Sequence, residues 1–172
     1  MTIESADSIS SFEPDFRFVQ AFSDKADAVF WIADPESYQL VYVSKHVERA
    51  LGLPAEDWLR PFFWQTYLFD ADRTQVLATF AAAAASESIH HLEYRMVASD
   101  GNLVWFRDRV CLLTIDERPF LCGMMMNVTA FKTAVDHHIG MRGYTSIFLE
   151  IVTLLSGSAG IEQKLDQLAN RL

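Results

Sequence analysis

The chain has 172 residues and a formal net charge of −9, with 51% hydrophobic and 22% charged residues. That length can bury a core without disulfide or metal staples, and that composition is far from a disordered tail. The acidic balance repels nucleic acid and anionic membrane surfaces, so neither is an expected partner.

Residues 1–11 are acidic and Ser-rich, with neither a basic nor an apolar leader segment, so they read as a disordered lead on a cytoplasmic protein. Residues 12–24 form an amphipathic helix, because Phe12, Phe16, Val19 and Phe22 recur at helical spacing. Residues 28–34 and 39–44 are short apolar strands around Asp34-Pro35, a hairpin signal. Residues 45–51 are helical and end at Gly52, and Pro54 opens a short helix carrying Trp58 and Leu59. The longest Ala-rich stretch, 70–86, predicts a helix, with Val76, Leu77 and Phe80 on one face and Asp70 or Asp72 as its cap. The aromatics Trp58, Phe62, Phe63, Trp64, Tyr67 and Phe69 are expected to cover a sheet face, either as packed core or as a cavity lining.

The period then changes to alternation. Residues 89–98, 103–115 and 120–128 are strands separated by Ser99-Asp100-Gly101-Asn102 and Asp116-Glu117-Arg118-Pro119, which makes an antiparallel meander. Cys111 and Cys122 fall within it and read as buried free thiols. From residue 130 to 155 the helical period returns through Met141, Tyr144, Phe148, Ile151 and Leu155, a coiled-coil seam weakened at Gly140 and Gly143. Residues 160–172 resume that seam as the start of a following helix or domain. The two apolar seams, one at Phe12, Phe16, Val19 and Phe22 and one from Met141 to Leu155, predict a homodimer.

Catalytic patterns are missing: there is no phosphate-binding glycine loop, no zinc-protease pair of histidines and no nucleophile elbow. The adjacent histidines His90-His91 on a strand and His137-His138 on a helix diverge, so neither pair chelates one metal. No enzyme activity and no metal are expected. Candidates for lining a pocket between sheet and helices are Trp31, Tyr42, Leu77, Phe80, Met96, Phe106, Met124 and Met126. A one-residue slip would exchange Met125 and Trp105 into that set. Without convergent charges, any ligand is expected to be small and apolar.

Five motifs in order are similar to those of the PAS domain, over about residues 16–131. These are the hairpin 29–44, Phe69-Asp70-Ala71-Asp72-Arg73, Glu93-Tyr94-Arg95, Asp100-Gly101 with Trp105, and Gly123 followed by Asn127-Val128-Thr129. Two positions depart from the family pattern: Phe69-Asp70 stands where the family has His-Pro, and Asn127 where it has Asp. The resemblance implies an α+β fold, a five-stranded antiparallel sheet with short helices on one face, occupying residues 25–129 between N-terminal and C-terminal flanking helices. It implies a bacterial sensory module that dimerises and signals through residues 130–155 to an output domain, with Asn127 and Thr129 in the relay. A purely structural dimerisation module without ligand is the alternative. Flavin–thiol photochemistry is disfavoured because residues 44–69 hold no cysteine, and helix-bound haem because residues 70–86 hold no histidine. The segment 148–172 resembles a helix leading into a GAF domain.

Overall fold

The computed structural model describes residues 17–86, 88–115 and 117–133. The lead, the seam residues Phe12, Phe16, Met141, Tyr144, Phe148, Ile151 and Leu155, and the GAF-like segment lie outside the described residues, as does the side chain of Phe22. Helix α1 (Arg17–Ala26) precedes the hairpin β1 (Ala28–Ala33) and β2 (Leu40–Val43). Three short turns of helix follow: α2 (His46–Leu51), a 3-10 turn (Ala55–Leu59) and α3 (Phe63–Thr66). Then come α4 (Asp70–Ala84), the meander β3 (His90–Val97), β4 (Leu103–Ile115) and β5 (Arg118–Asn127), and α5 (Thr129–Thr133).

The strands form one sheet in the order β2-β1-β5-β4-β3, every neighbouring pair antiparallel. The first and last strands in sequence therefore meet in the middle, and residues 44–89 must cross one face to reach the far edge. Period-two alternation divides the core in two. The helical face buries Val29, Trp31, Tyr94, Met96, Phe106 and Met125 under α2 to α4. The opposite face gathers Phe30, Ile32, Cys111, Cys122 and Met124. Val19 of α1, expected at a subunit seam, is 5% exposed and packs there, so its own sheet covers it. Ser23 ties α1 down: its hydroxyl lies 2.7 Å from that of Ser44, which accepts the Phe30 N–H at 3.0 Å.

Sequence expectation and structure part at three local points. Neither Asp70 nor Asp72 caps α4; the cap position is Phe69. Asp70 pairs with Arg73, and Asp72 receives Arg95 of β3 on both carboxylate oxygens, at 2.6 and 2.8 Å. That fork, with Phe69 N–H donating to the Arg95 carbonyl and Val97 N–H to the Tyr67 carbonyl, closes the outer edge of β3. Phe62 is 68% exposed, with φ 60°, and does not cover the sheet. The 3-10 turn begins at Ala55, leaving Pro54 in front of it as the cap.

Gly52 closes α2 at φ 69°, and a Cβ there would stand 2.3 Å from Ser99 Oγ. Gly101 has φ 84° with open space around it. Both substitutions to alanine carry the left-handed backbone cost of about 1–2 kcal/mol. Gly52→Ala must also displace Ser99, so urea unfolding is expected to show a larger loss for Gly52→Ala than for Gly101→Ala. Equal losses would mean that the Ser99 contact is immaterial.

Candidate functional site

The middle of the helical face is built around one tryptophan. Trp31 of β1 is directly opposite Gly123 of β5, and Gly123 is directly opposite Val110 of β4. With no side chain at Gly123, the Trp31 indole lies flat over β5; a Cβ there would fall 2.1–2.5 Å from three ring atoms. The indole Nε1 thereby crosses a whole strand and donates to Asp108 Oδ2 of β4 at 3.1 Å. Phe80 of α4 stacks on the other side of the indole at 5.1 Å, and Trp64 follows on Phe80 at 5.4 Å. Trp64 Nε1 is anchored on the Tyr38 carbonyl at 2.9 Å.

Asp108 is fully buried. Tyr94 of β3, diagonal to it across the β3–β4 pair, donates its hydroxyl to the same Oδ2 at 3.1 Å and lies 3.4 Å from Met125 Sδ. Oδ1 has no hydrogen-bond partner among the described residues. Burial pushes the Asp108 carboxyl up to about 7, against the hydrogen bonds from Tyr94 and Trp31, which pull it down. Burial and the neighbouring Asp108 push the Tyr94 phenol well above its ordinary range.

Beside this cluster is a cavity of about 20 Å³, room for about one water molecule. Pockets for cofactor-sized ligands measure roughly 300–1,000 Å³, far more than this cavity offers. Of the residues expected to line a pocket, Trp31, Phe80 and Met96 do, together with Trp58, Tyr94 and Met125. Trp58 Nε1 is buried there without a partner among the described residues. Leu77 and Phe106 belong to the same core without facing the cavity.

Tyr42, Met124 and Met126 are corrections: all three pack on the opposite face. A register shift between Ile32 and Ala33 puts Leu40 and Val43 on the cavity side and sends Val41 and Tyr42 to the other. On β5, Gly123 must face the helices to admit Trp31, so Met125 shares its face and Met124 and Met126 do not. Trp105 is also on the opposite face, where its ring carries Arg95 and Lys132. Sequence reasoning missed Asp108; its signal was a lone charge between Phe106 and Val110 on an apolar strand face.

A second cluster holds the start of the exit helix. Asn127 Oδ1 accepts the Thr129 N–H at 3.0 Å, and Thr129 Oγ1 accepts the Trp105 N–H at 2.9 Å. Glu93 of β3 accepts from Arg107 of β4 at 2.7 Å and from Lys132 of α5 at 2.5 Å. Lys132 also lies 4.9 Å from the centre of the Trp105 ring. Hydrogen bonding by Lys132, and then by Arg107, holds the Glu93 carboxyl below its ordinary range. Among the described residues, no group of His, Cys, Asp and Glu could hold a metal ion, and no helix is long and apolar enough to cross a membrane.

Gly123→Ala should be among the most damaging single methyl additions in this core. It must lift Trp31, overpacking the site and stripping Asp108 of a donor, for a combined loss of about 2–4 kcal/mol. Chemical denaturation followed by tryptophan fluorescence measures it; a loss below about 0.5 kcal/mol, the scale of neutral surface changes, would contradict the packing described.

The arrangement has known counterparts. No curated protein sequence matches the chain. The N-terminal domain of a diguanylate cyclase with PAS/PAC sensor from Marinobacter aquaeolei is similar at 24% identity and a TM-score of 0.54, covering 61% of this chain and 98% of that one. A sensory box histidine kinase/response regulator from Burkholderia thailandensis is similar at 22% identity and a TM-score of 0.53, covering 79% of this chain and 96% of that one. A PAS domain from Colwellia psychrerythraea, 16% identical with a TM-score of 0.54, covers 67% of this chain and 99% of that one. The family described as PAS fold matches residues 40–125, half of the sequence, and the chain belongs to that family.

Proposed function

We propose that this chain is a non-catalytic sensory and relay module that passes a change in its sheet through the exit helix to a downstream output domain. A GAF domain following residue 172 fits the resemblance of its last segment. Homodimerisation through the flanking helices is part of the reading, with Met141, Tyr144, Phe148, Ile151 and Leu155 as one seam and Phe12, Phe16 and Phe22 in the other. Similar PAS domains occur in a diguanylate cyclase and in histidine kinases, and that range favours a cytoplasmic bacterial signalling role.

The observation that carries the reading is the grip on α5. Lys132 is held by Glu93 and Trp105, residues on the same two strands whose other face holds Tyr94 and Asp108. A change in the core that moves β3 against β4 therefore acts on the first turn of the exit helix. Asn127 and Thr129 set where that helix begins, so they are the positioning residues of the relay.

The small size of the cavity supports a second reading, a structural dimerisation module without ligand. It also limits the first: a ligand must be water-sized, or small and apolar and able to part Phe80 from Trp31. A fusion placing a reporter kinase after residue 172 separates the two readings. Lys132→Met removes one partly exposed ion pair and Glu93→Gln neutralises two, each contributing at most about 1 kcal/mol, so the fold should persist. The relay reading expects both variants to change reporter output with unchanged association in sedimentation. Output that follows association alone would favour the structural reading.

A further inference from the structure

We propose that the input to this module is the proton itself, bound at the buried carboxyl of Asp108 and exchanged between two hydrogen-bond arrangements of Asp108, Tyr94 and Met125. The inference rests on the sensory reading above and names its ligand.

Among the described residues no cation contributes to holding the carboxyl ionised. In the sheet, Asp108 is directly opposite Met125 of β5 and Leu92 of β3. Its side-chain hydrogen-bond donors are the neutral Trp31 indole of β1 and the Tyr94 hydroxyl of β3, and the Arg109 backbone N–H adds a weaker pull toward the ionised form. The helices above contribute apolar side chains, among them Val47, Val76 and Phe80. Among the described residues, Tyr94 is the titratable side chain hydrogen-bonded to it. His90, two residues along β3 from Leu92, shares the face and sits 2.9 Å from Ser86 Oγ. The charges on neighbouring positions, Arg107 and Arg109 beside it and Glu93 and Arg95 beside Tyr94, belong to the opposite face by alternation. A buried carboxylate without a cation, and with one oxygen unpaired, is strongly disfavoured relative to its neutral form.

The two protonation states use the same atoms differently. Ionised, Asp108 Oδ2 accepts from both Tyr94 O–H and Trp31 N–H. Neutral, the new O–H on Oδ2 donates to Tyr94 Oη, and the Tyr94 hydrogen turns to Met125 Sδ, 3.4 Å away. Trp31 keeps its acceptor in both. Proton uptake thus reverses the hydrogen bond between β3 and β4 and adds one from β3 to β5, directly behind the Glu93–Arg107–Lys132 cluster that holds α5. The value of about 7 places the change near neutral pH.

The folded carboxyl keeps its proton to higher pH than the unfolded one, so its stabilising share is complete below the unfolded value and is lost as pH rises through about 7. Between about pH 4 and pH 7 this single group lowers the folding equilibrium constant about tenfold per pH unit.

Carbon NMR of the aspartate side chains across this range tests the proposal on the intact chain. One carboxyl is expected to titrate near pH 7, and the Trp31 indole N–H and the amides of residues 129–133 should follow the same curve. In Asp108→Asn that resonance and the shared curve disappear, and the tenfold-per-unit dependence of stability flattens. If every aspartate titrates below about pH 5, within the ordinary carboxyl range, the proposal is overturned without needing the variant. If Asp108 titrates near neutrality while α5 stays silent, the proton is not the input, and the relay reading stands or falls on the reporter fusion.

Discussion

The hydrogen bond from the Trp31 indole to Asp108 organises the centre of this molecule. It spans β5 and is possible because position 123 carries no side chain. Adjacent strands are about 4.8 Å apart, so a side chain that bonds two strands away must lie flat over the one between. Once the indole lies flat, its upper face is a platform: Phe80 stacks on it, Trp64 on Phe80, and the cavity shrinks to about 20 Å³. The closed core therefore follows from the reach of one tryptophan rather than from bulk hydrophobicity alone. The same bond leaves a carboxyl fully buried in the core.

Strands β3 and β4 carry two kinds of polar contact on their two faces. On the helical face Tyr94 meets Asp108 diagonally; on the other, Glu93 meets Arg107 directly across and reaches on to Lys132. Their responses to acid are opposite in sign. Glu93 is held below its ordinary range and contributes stability that is lost as pH falls through that depressed value. Asp108 is raised and contributes stability that is lost as pH rises through its own. A sheet built this way separates a core that responds near neutrality from an exit clasp that survives until the acid side of the carboxylate range. Asn127, uncharged where the family pattern has Asp, still caps Thr129, and the ionic hold on α5 comes from Lys132, five positions later.

Much of this was legible in the residues. The change from helical to alternating period located the meander, Gly52 ended α2, and five ordered motifs pointed to the sheet that is observed. Side-chain direction was harder. Met124, Met125 and Met126 are chemically identical, so alternation gives no parity there; the deciding residue is Gly123, through a contact with Trp31 that is 92 positions away in sequence. Tyr42 was misplaced because a register shift reverses the alternation within β2. Asp72 sits where a helix cap is the local expectation, and a long-range fork from Arg95 takes it instead. In each case a non-local partner overrode a local signal.

The central claim is that the buried carboxyl and the exit clasp act as one unit across β3 and β4. A double-mutant cycle between Asp108→Asn and Lys132→Met, measured by urea unfolding at about pH 8 where Asp108 is ionised, tests it directly. Independent sites without shared partners add within about 0.3–0.5 kcal/mol. The account predicts a coupling energy above that band, shrinking at about pH 5 where Asp108 is protonated. Additivity at both pH values would show that the two faces of the sheet do not communicate and would contradict it.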